Sequence, residues 1–288
     1  MSPVELRAQL RARFPSDTSG AEIDHAALQD VVGDGNHTLA TMLGHRICRQ
    51  FSPDPLDDDL LSLLLSAAFS TPSKSDLQQC SVIVVQDPDR RNAIAQLIPT
   101  MPWIAEAARF LVFCGDSRRI RGVSQRAGLP FENDHLDAFL NAAGDAAMHL
   151  SSFVWAAESV GLGTCPISVV RNHIEEVSAI VALPDHVFPF AGLCVGWPQR
   201  LRPLSPRLPL AVTVHRDQYD DERTPTLIKD YDGARLEGRT VPAQHQVDVE
   251  RWGVSETYGW STEKARMVAR REREQLARFL RARGFNLE

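Results

Sequence analysis

The sequence predicts a mixed domain, α+β or α/β, on three observations. Four short runs, at residues 81–85, 110–114, 191–197 and 211–215, have the length and the β-branched or apolar composition of strands. Between them lie stretches whose apolar residues recur with the period of a helix. The two kinds of segment are interleaved along the chain and not gathered into an all-helical or all-strand block.

Taken in order, residues 1–35 read as a polar helical extension ending in the turn Gly33-Asp34-Gly35, and helical spacing resumes over 36–43. After Pro53 and Pro55, Asp57 is placed to cap a helix in which Leu60, Leu61, Leu64, Leu65 and Ala68 form an apolar stripe. Residues 71–79 are polar, include a proline and read as a loop. The run 81–85 predicts a strand buried on both faces, 88–97 a charged helix and 110–114 a second buried strand. Residues 117–133, rich in Arg and Gly, read as a mobile excursion. From 136 to 160 no proline intervenes and small residues are frequent, which predicts one long helix stopped by Gly161 and Gly163. Its run Ala142-Ala143-Gly144-Asp145-Ala146-Ala147 would let another helix approach closely. A proline-rich connection at 198–209 separates the third and fourth strands. Residues 220–258 read as irregular, and a final helix spans about 262–282, with Gly284 just after it.

Composition narrows the function classes. The chain has 288 residues, 43% hydrophobic and 24% charged, enough for a sizeable core in one large domain or two small ones. A net charge of -6 gives no global attraction to nucleic acid or anionic membrane, and neither is expected as a partner. No apolar run reaches the roughly 18 residues of a membrane span. The N-terminus lacks the order of a secretory signal, and Glu5 with the acidic stretch behind it argues against a transit peptide. The five cysteines are odd in number, far apart and without a C-x-x-C pair. They read as reduced thiols of a cytoplasmic protein, with Cys114 and Cys194 in the core.

Phosphate-loop, dinucleotide-loop, zinc-protease and nucleophile-elbow motifs are all absent, and the nine histidines lack metal-ligand spacing. No metal is expected. What stands out is three polar, basic loops. They are His45-Arg46-Ile47-Cys48-Arg49-Gln50-Phe51, the stretch Thr71 through Gln78, and Ser205-Pro206-Arg207-Leu208-Pro209. Arg46, Arg49 and Arg207 have the planar fork that suits phosphate oxygens. Exposed arginines also serve simply as solvated charges or partners of Asp, and the residues alone leave both readings open.

The ordered set of segments resembles the nitroreductase superfamily. The first loop is similar to that family's H-R-S-x-R-x-F opening, and the second to its P-x-S-x-N-x-Q loop. Trp103-Ile104-Ala105-Glu106-Ala107 is similar to W-I/V-A-E-A. Gly161-Leu162-Gly163-Thr164-Cys165 with Arg171-Asn172 resembles G-L-G-T-C-Y-I-G-G-x-R-N. Pro206-Arg207-Leu208-Pro209 and the C-terminal segment from Trp260 to Phe285 resemble the oxygen-insensitive nitroreductase and NADPH–flavin oxidoreductase branch. The resemblance covers roughly residues 40–285.

It implies an α+β fold with a mainly antiparallel sheet, completed by dimerisation. An FMN-binding core would span 36–219, and a C-terminal extension, 220–288, would wrap the partner subunit. The long helix would then lie at the dimer interface. By the same resemblance His45, Arg46 and Arg49 face the FMN phosphate and ring, and Ser73, Ser75, Asp76 and Gln78 approach the ribityl chain and ring. Arg207 clamps the phosphate. Pro166, Ile167, Ser168 and Val169 lie near the flavin, as do the positions of Ile47 and Met101. Ile47 replaces the family serine, Asp76 an asparagine and Met101 a glutamine. Pro166, Ser168 and Val169 replace the tyrosine and two glycines of Y-I-G-G. The implied activity passes hydride from NADPH or NADH through FMN to a small acceptor such as a nitroaromatic, quinone or flavin, by ping-pong turnover. FMN carries that chemistry, without a protein catalytic group. A dedicated-substrate flavoenzyme and a non-catalytic flavin-binding or regulatory protein are the alternatives. Arg235, Arg239 and Arg251 are candidates for a nicotinamide 2′-phosphate, or are solvated surface.

Overall fold

The computed structural model describes Ala8, Arg11, Ala12 and residues 37–236 and 240–288. Most of the expected helical extension at 1–35, and Arg239, lie outside the described residues. The chain divides into two compact units, one of residues 1–45 and 203–272, the other of 46–202 and 273–288.

The second unit holds the sheet. Its elements are α2 (Asp58–Phe69), β1 (Cys80–Val84), α3 (Pro88–Leu97), α4 (Trp103–Glu106), β2 (Arg109–Asp116), α5 (Arg118–Arg126), α6 (Leu136–Ser159), β3 (Gly163–Ile167), α7 (Ile174–Ile180), β4 (Val187–Gly196) and α12 (Leu276–Ala282). The strands pair in the order β1-β2-β4-β3, every pair antiparallel, with a bulge in β2 between Phe113 and Cys114. Asp57 caps α2 as expected, its carboxylate accepting from the N–H groups of Asp59 and Leu60. One cluster, with Phe113, Phe153, Leu111 and Leu193, packs α2 and α6 against the sheet. A second, with Ile94, Ile104, Val112 and Val170, gathers α3, α4 and β3. The third joins Phe279 and Phe285 to Phe188 and Ala142. All five cysteines are buried and unpaired, Cys114 and Cys194 fully inside.

The first unit contains α1 (His37–Leu43), α8 (Leu210–Thr213), α9 (Thr224–Leu236), α10 (Val249–Trp252) and α11 (Trp260–Val268). The buried Tyr231 of α9 meets Trp260 of α11 edge-on, with ring centroids 5.8 Å apart. Ser261 N–H donates to Asp232 at 3.1 Å.

Five local expectations are corrected, and one strand is added. Residues 211–215 form no strand; α8 occupies most of them. A short apolar run does not distinguish the two states, and among the described residues the first unit has no strand to complete a ladder. The expected mobile excursion contains α5, because arginine is a good helix former and Arg119 and Arg121 are anchored on Asp116 and Asp134. The stretch 220–258 includes α9 and α10, with Pro225 in the first turn of α9, where its missing N–H costs nothing. The final helix is two, α11 and α12, separated by Arg273 in the left-handed region at φ 60°. The run 81–85 lies on the sheet's edge, with Ser81 to Val84 on β1 only half-buried and Val85 buried just beyond it. Finally, β3 had no β-branched run to announce it; its Pro166 is tolerated because β3 is also an edge strand.

Candidate functional site

The expected site residues fall into three groups. In the first unit, His45 follows α1, and its N–H donates to Met42 O at 3.4 Å. In the second unit the chain from Arg46 runs along the outer edge of β3. Ile47 bridges Thr164 in parallel, and Cys48 N–H donates to Thr164 O at 2.8 Å. Glycine permits this approach, since a Cβ on Gly163 would lie 2.5 Å from Cys48 Cβ. The Arg49 guanidinium stands over the Trp103 ring at 5.3 Å. It also acts on Cys165: burial pushes that thiol up, while the charge and hydrogen bond of Arg49 oppose the shift. β3 then delivers Pro166 and Ile167, and the following 3₁₀ turn, Ser168–His173, presents Ser168 and Val169. Arg46, Ile47, Arg49 and residues 166–169 therefore share one edge of the sheet.

Three departures from the family pattern converge here. Ile47, Met101 and Val169 all pack, with Trp103, against the same hydrophobic cluster. The replacements put three apolar side chains on that cluster where the family pattern has a serine, a glutamine and a glycine. Arg273 adds a cation that sequence reasoning missed, with Nε donating to Asn172 Oδ1 at 3.0 Å and Nη2 to Ser168 Oγ at 3.3 Å. In the run Arg270-Arg271-Glu272-Arg273-Glu274 no pattern sets it apart from its neighbours.

The second group is the loop before β1. Ser75, Asp76 and Gln78 all take positive φ, at 51°, 57° and 51°. Such backbone costs on the order of 1–3 kcal/mol per residue and persists only where surroundings enforce it. The enforcing group is Asp145 of α6, which is fully buried. Its two carboxylate oxygens accept from Lys74 N–H at 3.0 Å and Gln79 N–H at 2.7 Å, clamping both ends of the loop. Within the loop, Gln78 Nε2 donates to Asp76 Oδ1 at 3.0 Å and Gln78 N–H to Ser73 Oγ at 3.3 Å. Next to the clamp, burial and the Asp145 charge push the Cys80 thiol up to about 12. Asp145 was legible only as one of the small residues of a close-packed helix.

The third group, in the first unit, is centred on Arg207. Its Nη1 donates to the carbonyls of Ser205 and Pro206 at 3.3 and 3.5 Å, and the side chain is exposed. Tyr231 Oη donates to Pro206 O at 3.0 Å and accepts from Arg235 at 3.1 Å. Arg207, Tyr231, Arg235, Trp260 and Lys264 line a cleft of 530 Å³. Arg251 instead lies over Trp252 at 4.7 Å.

One chain does not bring the first two groups together. The 73–79 loop leads into β1 at one edge of the sheet, and residues 46–49 run beside β3, which leads into residues 166–169, at the other. Three inter-strand steps, about 14 Å, separate the edges.

The Nitroreductase family model matches residues 42–197, more than half of the chain, and the model of that family's C-terminal domain matches 205–288. This chain belongs to the nitroreductase family. It is 32% identical to FMN reductase [NAD(P)H] of Bacillus subtilis over 257 residues, 88% of this chain and 99% of that protein. It is 38% identical to the oxygen-insensitive NADPH nitroreductase of Salmonella typhimurium over 182 residues, 63% of this chain and 74% of that one. Among solved structures, B. megaterium NfrA2 superimposes with a TM-score of 0.79 at 31% identity, over 88% of this chain and all of that one. The NADPH:FMN oxidoreductase of Vibrio harveyi complexed with NAD+ gives 0.74 at 29% identity, over 86% and 98% of the two chains. The expected α+β fold with an antiparallel sheet is the observed one. Among the described residues no helix is long and apolar enough to cross a membrane, and no cluster could hold a metal ion.

Proposed function

We propose that this nitroreductase-family chain is an FMN-dependent oxidoreductase that passes reducing equivalents from NADPH or NADH to a small acceptor, as a cytoplasmic homodimer. The observation that carries the reading is the docking of Ile47 and Cys48, flanked by Arg46 and Arg49, on Thr164 of β3, the strand that leads into residues 166–169. It occurs in a chain 32% identical to an FMN reductase over nearly the whole length of both.

The donor set fits that cofactor. Arg46, Arg49 and Arg207 offer guanidinium groups for a phosphate, and Ser73, Ser75 and Gln78 offer hydroxyls and an amide for a polyol and a ring edge. Bound FMN would supply the hydride-accepting and electron-passing chemistry between nicotinamide and acceptor. The chain's own part is to orient and to balance charge. Arg49 and Arg273 supply positive charge along β3, and the clamped 73–79 loop supplies preorganised donors. Because reductant and acceptor would use the same face in turn, turnover is ping-pong, and parallel double-reciprocal lines would support it.

Dimerisation follows from the separation of the two groups, since a second copy is needed to set the 73–79 loop of one subunit against the β3 edge of the other. The surface of α6 supports this. Leu136, Leu140 and Met148 are exposed at four- and eight-residue spacing with Gly144 between them, and nothing lies within 4 Å of a Cβ built on Gly144. Light scattering on dilute protein should show a dimer; a stable folded monomer overturns this part. Five buried, unpaired thiols fit the reducing cytoplasm.

The purified protein should be yellow, or become so with FMN, and NADPH or NADH should bleach it under anaerobic conditions. Protein that stays colourless with FMN overturns the reading. The apolar replacements Ile47, Met101 and Val169 favour one narrower version, an enzyme dedicated to a single apolar acceptor. Near-equal kcat/KM across nitroaromatics, quinones and free flavin would exclude that version.

A further inference from the structure

A second basic cleft lies within the sheet-bearing unit, apart from the residues assigned to flavin. It is a cavity of 540 Å³ lined by Arg118, Arg119, Arg121 and Arg126 of α5, with Gly122 among them and His186 just ahead of β4. In a chain whose net charge is -6, four arginines line this cleft with one carboxylate, the buried Asp116, while Asp134 and Asp185 stand behind the lining. We propose that this cleft binds the phosphate or pyrophosphate group of a phosphorylated small molecule, and that Arg119 relays its occupancy to the 73–79 loop. The relay, but not the binding, rests on the flavin reading above.

Helix stability alone disfavours this arrangement. Arg118, Arg121, Gly122 and Arg126 fall at i, i+3, i+4 and i+8, so three cations share one face, where like charges repel. The first turn holds no acidic residue, so the arginines there also oppose the helix dipole. Intramolecular pairing relieves only part of this. Arg119 pairs with Asp116 at 3.2 Å and Arg121 with Asp134 at 2.6 Å. The side chains of Arg118 and Arg126 make no ion pair or hydrogen bond among the described residues. Local rules broken without internal compensation mark functional surfaces.

The remaining lining suits an anion. Gly122 leaves room for a guanidinium over the helix, since a Cβ there would lie 3.3 Å from Arg126 Nη1. His186 Nδ1 is buried without a hydrogen-bond partner. The ring is fixed edge-on to Phe285 at 5.9 Å, and a Cβ on Gly284 would come within 2.5 Å of it. Arginine forks match phosphate oxygens in pairs, and the volume is that of a small-molecule pocket. Arg119 makes the connection onward. The same guanidinium donates to the carbonyls of Gln78 and Cys80 and, at 2.8 Å, to Ser81 Oγ. A ligand that draws on Arg119 therefore competes with the bonds that close the 73–79 loop.

The test is calorimetric titration of inorganic pyrophosphate into the FMN-saturated protein and into the variant carrying both Arg118→Ser and Arg126→Ser. These two side chains hold nothing within the chain, so the fold should survive their loss. Saturating FMN keeps the probe out of the flavin phosphate site, and flavin absorbance reports separately on the flavin reading. Binding to the native protein should weaken roughly tenfold or more in the variant. The titration of the His186 ring, followed by NMR in the native protein, gives a second readout independent of any variant. Burial and the charges of Arg121 and Arg118 hold that ring below the usual histidine range against Asp134 and Asp185. A bound anion should move its midpoint upward. No binding, equal binding by the variant, or an unmoved His186 midpoint overturns the site. Binding that leaves FMN affinity and the Gln78 and Gln79 amide signals unchanged overturns the relay.

Discussion

The loop at 73–79 and the loop at 205–209 are both expected to touch the same cofactor, yet they are held in opposite ways. The first takes three left-handed residues and is clamped at both ends by one buried carboxylate. The second is exposed at its arginine and braced from outside by the Tyr231 hydroxyl on Pro206 O. Its stiffness comes from Pro206 and Pro209, whose fixed φ needs no tertiary partner. One loop owes its geometry to tertiary structure and the other mainly to its own covalent chemistry. Substitutions should therefore separate stability from affinity differently in the two places.

The largest effect belongs to the clamp. Asp145→Ala leaves the buried Gln79 N–H without an acceptor, at roughly 1–3 kcal/mol, and the part-buried Lys74 N–H at less than that. The expected loss is about 3 kcal/mol in urea unfolding, read as a lower midpoint at unchanged slope. Asp145→Asn, which keeps one acceptor oxygen, should fall between the two. FMN affinity should drop along with stability. Native stability in the Ala variant would show that the strained loop is held by something else, and the contrast between the loops would collapse.

Arg207→Ala probes the other side. An exposed side chain that donates only to its own loop's carbonyls should alter stability by less than about 0.5 kcal/mol. If it clamps the FMN phosphate, its loss removes a charge-assisted contact of roughly 1.5–3 kcal/mol, a tenfold or greater rise in Kd. Flavin titration alongside urea unfolding gives both quantities. Unchanged affinity would remove Arg207 from the site. Tyr231→Phe sharpens the same point at smaller scale. Losing the hydroxyl removes its bond to Pro206 O, about 0.5–1.5 kcal/mol, together with the bond it accepts from Arg235, and should loosen the loop and raise the FMN Kd severalfold, by less than Arg207→Ala. An equal or larger effect would mean that the brace, and not the proline chemistry, positions the arginine.

The same division explains what could be read from the sequence. Long periodic segments such as α2 and α6, and the apolar runs of β2 and β4, announced themselves because burial imposes their pattern. The arginines and hydroxyls of the three loops were visible as residue types in a family-like order. Hidden were features that depend on distant partners. The edge strand β3 forms around a proline because β4 pairs with it on one side only. The break at Arg273 coincides with that side chain's bonds to Asn172 and Ser168, a hundred residues away in the chain. Asp145 looked like one more small residue in a tight helix, and its role appears only when Lys74 and Gln79 are folded onto it. That the expected flavin residues divide between opposite edges of the sheet follows from strand order, which no local pattern encodes.

The smallest expected effect is the most specific to chemistry. Asp76 stands where the family pattern has asparagine, in a loop expected to approach the flavin ring. Its left-handed φ of 57° is one that Asn and Asp both accept, so replacement should leave the backbone in place. Its Oδ1 accepts from Gln78 Nε2 at 3.0 Å, and an asparagine oxygen can accept the same bond. Lys74, two residues away, forms no ion pair with it among the described residues, so the loop itself does not neutralise the carboxylate. The substitution thus changes charge with little else. A carboxylate near the ring opposes the gathering of negative charge there on reduction, and removing it should raise the FMN midpoint potential. The side chain is exposed, so solvent and salt screen the interaction strongly. For a two-electron couple about 30 mV corresponds to 1.4 kcal/mol, so a screened charge should shift the potential by on the order of 20 mV. Dye-coupled redox titration of native protein and Asp76→Asn at neutral pH, repeated at high salt, measures it. A rise that shrinks with added salt is the expected result, with faster reduction by the nicotinamide if that step limits turnover. An unchanged or lower potential would mean that the clamped loop does not bring residue 76 to the ring, and the difference between the two loops would then concern stability alone.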